Sequence, residues 1–271
     1  MSRFVIHTVP DADALPLPAN DAIPDCVPNC VDALRAADLP AAFAGGGEEW
    51  SPERDLPPSL WELFSSMDDA SGEALALAFA EARLQGGAHA KHWLWVQDAQ
   101  SIRRGGRPFL HGLPVERRHR LVHVEARNAA DALWAMEEGV RCGALSFVIG
   151  ELAGDPKSLD FTATRRLVLA AERHGVPLYL SRRDGFANLS AARLRWRVEA
   201  APSGMHRWNT VAPGAPRAGA ELFRGRGLRP GRFTLEHSVG HHEPGQNACH
   251  RLALVPEPCD RPLEPEHRGA G

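Results

Sequence analysis

An α/β domain of the doubly wound kind is what the order of apolar runs predicts: a mostly parallel central sheet with helices on both faces and an antiparallel carboxyl-terminal extension. Short runs of strand character alternate with amphipathic helical segments through the middle of the chain. Those helical segments open on capping side chains and close on glycines. After Asn188 the pattern changes to strict alternation, 193–199, followed by a Gly-rich turn. With 271 residues, 44% of them hydrophobic, the chain can bury a full core.

Residues 1–57 are rich in Pro, Ala, Asp and Gly and read as an acidic, partly disordered arm. One short helix is expected over 31–37, bounded by Pro40. The core is expected over 58–255, opening on the strand-like run 60–64 and a polar turn. An Ala-rich helix over 72–84 follows and stops at Gly86-Gly87. Residues 92–96 make the next strand, ending at Asp98. A basic loop carrying Arg103, Arg104, Arg107, Arg117, Arg118 and Arg120 leads to a strand at 121–124.

The clearest helix comes next. Asn128 can cap it, with Asp131 at the third helical position. Ala129, Leu133, Met136 and Val140 share one apolar face, Glu137 and Arg141 form a favourable pair, and Gly143 ends the helix. Residues 145–149 suit the middle of a parallel sheet. A helix over 162–174, ended by Gly175, precedes a strand at 176–180. In the alternating run, Leu194, Trp196 and Val198 point one way and Arg193, Arg195 and Arg197 the other, a half-buried strand with a wet basic face. A Pro/Gly loop over 201–219 leads to strands at 221–224 and 232–236, a hairpin with an Arg/Gly tip; 250–255 is the last strand and 256–271 a disordered tail.

No apolar run approaches the length of a membrane span, and the first residues lack a signal core. The five cysteines are odd in number and scattered, which excludes a disulfide scaffold. Cys26 and Cys30 have no second pair at zinc spacing, and Cys249, His250, His241 and His242 read as a polar loop before a strand; no metal is expected. Charge is uneven: residues 1–81 carry a net −12 and the remainder +9. An acidic arm on a basic body fits an anionic partner, and it equally fits plain solubility with the arm folded back.

In a doubly wound domain the first strand-to-helix turn usually holds phosphate, because helix amides point at the ligand. A phosphate-binding loop of this class needs a lysine and a hydroxyl after its second glycine. Here the turn reads Met67-Asp68-Asp69-Ala70-Ser71-Gly72-Glu73-Ala74, with Glu73 at the lysine position and Ala74 at the hydroxyl position. Exchanging a positive for a negative charge about 4 Å from a phosphate changes each pairwise energy by roughly 8 kcal/mol at an effective dielectric of 20. Asp68 and Asp69 add repulsion. Neither Lys91 nor Lys157, the two lysines of the chain, sits in such a loop. No ATP hydrolysis, no nucleotide cofactor and no catalytic residues are expected.

The run Asp131-Ala132-Leu133-Trp134-Ala135-Met136-Glu137-Glu138-Gly139-Val140-Arg141-Cys142-Gly143-Ala144-Leu145, with Val148-Ile149-Gly150-Glu151-Leu152, resembles the ImuA family. So do Thr164-Arg165-Arg166-Leu167, Ala170-Ala171-Glu172, the stretch 190–198 and the Arg/Gly hairpin 224–232. The resemblance covers about residues 60–237. It implies a RecA-like fold with a degenerate phosphate loop and a bacterial, damage-inducible accessory role in translesion mutagenesis. The implied partners are an ImuB-like protein, an error-prone replicative-type polymerase, RecA and single-stranded DNA. The implied location is the cytoplasm, on the nucleoid when engaged. By position, Glu151 falls where a RecA-type ATPase holds its Walker B carboxylate, and Asp98 near its catalytic carboxylate; both read as relics or structural hydrogen-bond partners.

Arg193, Arg195, Arg197, Arg224, Arg226, Arg229 and Arg232 form the candidate contact surface for DNA or a protein partner, with solubilising arginines as the competing reading. Trp134 and Trp196 read as core. Family members are also labelled SulA-like, which implies inhibition of cell division through a protein interface as the alternative function.

Overall fold

Alternate residues of each central strand feed two separate apolar cores, one on either face of a single sheet. The computed structural model describes residues 5–7, 47–84, 90–113, 115–206, 208–209, 211–240 and 249–255. Its strands are β1 (Val5–His7), β2 (Leu60–Ser65), β3 (His92–Asp98), β4 (Leu121–Ala126), β5 (Leu145–Ala153), β6 (Leu178–Arg183), β7 (Leu194–Ala201), β8 (Arg217–Gly225), β9 (Gly231–Gly240) and β10 (Cys249–Val255). They run in the order β1-β4-β3-β5-β6-β2-β7-β8-β9-β10. Pairing is parallel from β4 through β7 and antiparallel at β1 and from β7 to β10.

The helices are α1 (Ser71–Ala82), α2 (Ala99–Gly105), α3 (Val115–Arg118), α4 (Ala129–Arg141) and α5 (Phe161–His174). Helix α1 covers one face, where Leu75 and Phe79 pack with Trp61, Trp95, Ile149, Tyr179 and Trp196. Helices α4 and α5 cover the other, where Met136, Val140 and Leu167 pack with Leu94, Val148 and Leu180. The result is an α/β protein with a large, mostly parallel sheet. No helix among the described residues is long and apolar enough to cross a membrane.

Local sequence explains the best-formed helices. The Asn128 side chain accepts from the Asp131 N–H at 2.9 Å, and the apolar face Ala129, Leu133, Met136, Val140 is buried. Glu137 receives Arg141 at 2.6 Å and, across from α5, Arg166 at 2.9 Å. Helix α4 closes on β5 because position 150 is glycine; a Cβ there would stand 2.5 Å from the Met136 sulfur. Asp160 caps α5 at 2.7 Å, and Gly175 ends it in the left-handed region at φ 70°.

Several expectations are corrected. The basic loop after β3 contains α2 and α3 instead, with Asp98 supplying the cap that starts α2. Arg117 within it is buried, its Nε 2.9 Å from Glu81 Oε1. The strand expected at 176–180 lies at Leu178–Arg183, because it must reach as far as its neighbours β2 and β5. Trp134 is 50% exposed on α4, whereas Trp196 is buried. Helix α4 ends at Arg141 with Cys142 as its cap residue, one position before Gly143.

The packed body begins earlier than residue 58. Trp50 is 2% exposed and meets Trp196 edge-on at 4.8 Å, Phe233 at 5.3 Å and Phe79 at 5.6 Å. Glu48 bridges to Leu228 in the β8–β9 turn, so this segment is stitched to the hairpin. The helix expected at 31–37, Cys26, Cys30, His241, His242 and the tail 256–271 lie outside the described residues.

Candidate functional site

The turn between β2 and α1 sits at the carboxyl ends of the parallel strands, where an α/β sheet presents helix amides to a ligand. Here the chain's own carboxylates take those amides. The Met67 N–H donates to Asp184 Oδ1 and the Ser71 N–H to Asp69 Oδ1, both at 2.8 Å. Asp69 Oδ2 also accepts from the Ala200 N–H at 2.7 Å, tying the turn to β7. Asp184 holds a left-handed conformation at φ 51°, which Asp tolerates better than most residues. Asp68 and Ala70 complete the turn without entering the buried centre.

Glu73, in the first turn of α1, is 5% exposed and faces the sheet. Arg183 grips it at two points, Nε to Oε1 at 2.9 Å and Nη2 to Oε2 at 3.0 Å. Ser181 donates its hydroxyl to the same Oε1. Gly72 allows this approach, since a Cβ would lie 2.8 Å from Ser65 Oγ. Gly105 likewise leaves room for the Arg183 guanidinium. The Glu73 carboxylate therefore has a cation of its own, brought by β6.

Behind this pair runs a buried polar row. Glu151 Oε1 lies 3.7 Å from Arg183 Nε, and its Oε2 accepts from Gln97 Nε2 at 2.7 Å. Gln97 also donates to the Gly106 carbonyl, and its Oε1 lies 2.9 Å from His123 Nε2. Burial, and then the Glu73 charge, push the Glu151 carboxyl up to about 7 against the opposing pull of Arg183 and the Gln97 hydrogen bond. Asp98 stands apart, its Oδ1 capping α2 through the Ser101 N–H at 2.8 Å. The site is a set of internal bonds around a two-point ion pair, with Glu151 Oε1 and Ser65 Oγ buried beside it without a hydrogen-bond partner among the described residues. Among the described residues no group of three or more His, Cys, Asp or Glu could hold a metal ion.

The candidate contact arginines divide into two sets. Arg193 makes a two-point pair with Glu172, at 2.5 and 2.9 Å. Arg195 is buried, contrary to the expected wet face, with its Nε 2.6 Å from Glu62 Oε2. Arg197 pairs with Glu221 at 3.3 Å and lies over the Phe223 ring at 4.4 Å. Acid partners on β2, α5 and β8 thus absorb the charges of the alternating strand. Arg224, Arg226, Arg229 and Arg232, in and beside the β8–β9 turn, are exposed and make no ion pair among the described residues. Because Arg224 faces Arg195 near the start of β7, this turn lies at the opposite end of the sheet from Glu73.

Sequence reasoning missed Arg183 and Asp184. The string Arg182-Arg183-Asp184-Gly185 follows an apolar run and looks like an ordinary polar strand end. Only the placement of β6 beside β2 shows that Arg183 meets Glu73.

Fold and site define an α/β protein with a mostly parallel sheet whose β2–α1 turn is closed by an internal ion pair. No family model matches the chain. It is 30% identical over 256 residues to Protein ImuA of Caulobacter vibrioides strain NA1000 / CB15N, covering 89% of this chain and 96% of that protein. The same values hold for Protein ImuA of strain ATCC 19089 / CIP 103742 / CB 15. The chain belongs to the ImuA family.

Proposed function

We propose that this protein is a RecA-like accessory module of damage-induced, error-prone translesion synthesis that works by binding companions and hydrolyses no nucleotide. The observation that carries this reading is the Glu73–Arg183 pair: the place of a phosphate-binding lysine holds a carboxylate already neutralised from within. Asp184 and Asp69 occupy backbone donors of the same turn, which supports the reading further. Glu151 and Asp98 serve as structural hydrogen-bonding groups in it. The expected companions are an ImuB-like protein and an error-prone replicative-type polymerase, with RecA as a further one. The exposed turn arginines Arg224, Arg226, Arg229 and Arg232 are its contact to single-stranded DNA.

Calorimetry with MgATP tests the first half, and no heat of binding at micromolar protein is the expected result. A nucleotide-dependent turnover abolished by Glu73→Ala would sink it. Reciprocal pull-down against the ImuB-like protein from damaged cells tests the second half. Overexpression that produces filamentous cells without any change in damage-induced mutation frequency would instead favour a block to cell division.

A further inference from the structure

The β8–β9 turn shares its end of the sheet with other elements. The Arg226 N–H donates to the Arg193 carbonyl at 2.9 Å, and the Arg193 N–H to the Leu60 carbonyl at the start of β2, also at 2.9 Å. The Leu178 N–H, at the start of β6, donates to the Ser59 carbonyl at 3.0 Å. Ser59 in turn reaches α5, its hydroxyl donating to Glu172 Oε1 at 3.2 Å. One edge therefore carries the turn, the amino ends of β7, β2 and β6, and the last turn of α5. Neighbouring strands lie about 4.8 Å apart, so the way from β8 across to β5 covers roughly 19 Å.

Cations continue along this edge on the side of α4 and α5. Arg173 and His174 close α5 and are exposed. Beyond them the exposed Lys91 lays its Nζ over the amino end of β5, 2.9 Å from the Gly143 carbonyl. The exposed residues between, Cys142, Gly143, Ala144 and Gly175, are small and uncharged. The acids on the same side are already held: Glu172 by Arg193 at two points, and Glu137 and Glu138 by Arg141. The Arg193 hydrogen bond, with the charges of Arg193 and Arg226 behind it, keeps the Glu172 carboxyl below the usual carboxylate range. Glu48, Glu49, Glu53 and Asp55, with Arg54 paired to Glu48, belong to the segment that packs through Trp50 on the α1 side of the sheet. Arg173 and Lys91, like the arginines of the turn, make no ion pair among the described residues.

We propose that single-stranded DNA held at the β8–β9 turn continues along this edge past Arg173 and His174 to Lys91, with its phosphates as the groups contacted. The inference rests on the reading of the turn as a DNA contact and gives that contact a direction and a length. A row of cations without carboxylate partners on one edge suits a polyanion laid lengthwise. No member of the row is a large aromatic ring, so base stacking contributes nothing and the contact is indifferent to base identity. Arg173 and His174 also oppose the negative end of the α5 dipole. That role concerns the stability of the helix and is blind to the length of an oligonucleotide.

Fluorescence anisotropy of the full chain with oligothymidylates of about four and about sixteen nucleotides, over a range of salt, decides the matter. The wild type is expected to bind the long oligomer more tightly and with the steeper salt dependence. Combining Arg173→Ala with Lys91→Ala is expected to lower the log–log slope on the long oligomer by about 1.4, two contacts at about 0.7 each. The advantage of the long oligomer over the short one shrinks with it. Salt-dependent binding by the wild type whose slope and length dependence the double variant leaves unchanged overturns the proposed path and leaves the turn as the DNA contact. A wild type that binds neither oligomer at low salt overturns the path together with the reading on which it rests.

Discussion

Arg183 and Glu73 lie 110 residues apart and meet through two parallel hydrogen bonds, at 2.9 and 3.0 Å, with both side chains almost wholly buried. Removing Arg183 strands the Glu73 charge in a low-dielectric layer, and removing Glu73 leaves Arg183 with only Glu151, 3.7 Å away. Arg183→Met or Glu73→Leu alone is expected to destabilise the fold by about 3–5 kcal/mol, whereas the double change falls near neutral. Urea unfolding of the four proteins of this cycle measures the difference. Additive single losses would show that the pair does not act as a unit.

Glu151 gives a pH dependence of definite sign. Its carboxyl rises from 4.5 to about 7 on folding, so between those values the folded protein keeps a proton that the unfolded chain has released. Stability contributed by this group is therefore greatest below pH 4.5, declines as pH rises, and levels off above pH 7. The whole effect is on the order of 3 kcal/mol. Glu151→Gln keeps an acceptor for Gln97 and removes the titration. It is expected to exceed the wild type in stability at pH 8, with the gap narrowing towards pH 5, as read by denaturant midpoints.

Trp50 anchors the segment ahead of β2. Its truncation to Ala empties a slot bounded by Trp196, Phe79 and Phe233, for an expected loss of about 3–5 kcal/mol. Thermal unfolding checks this. A change within about 0.5 kcal/mol would mean that the indole contributes only as a surface group does.

Charge reversal at Arg224, Arg226, Arg229 and Arg232 should leave unfolding stability within about 0.5 kcal/mol, since these exposed side chains make no ion pair among the described residues. Affinity for a single-stranded oligonucleotide is expected to drop and to lose its salt dependence, by about 0.7 in the log–log slope per phosphate contact removed. Arg195→Ala behaves oppositely, because its loss leaves buried Glu62 with only Arg182, 4.0 Å away. Fluorescence anisotropy at two salt concentrations separates the two classes.

The sequence made the middle of the chain readable where one local signal decided the outcome. Asn128, the apolar spacing from Ala129 to Val140 and the Glu137–Arg141 pair all depend on neighbours within a helical turn or two. The acidic turn at Glu73 was visible for the same reason. Its partner Arg183 was not, because no local pattern reveals which strand will lie beside β2. Arg195 misled because alternation reports which way a side chain points, while its burial depends on Glu62 and Phe64 from a distant strand. Trp134 misled in the other direction. A large apolar ring in a strongly amphipathic helix invites a core assignment, yet it falls beside the face that Leu133 and Met136 occupy.

The polar row from His123 through Gln97 and Glu151 to Arg183 crosses four adjacent strands, β4, β3, β5 and β6, each contributing on the α1 side. Sliding any one of these strands by a single residue would swing its polar group into the greasy layer beneath α4 and α5. Mispaired sheets are thereby penalised far more than uniformly apolar strands would penalise them. The row thus works as an alignment key, admitting one arrangement of the parallel strands and rejecting its shifted rivals.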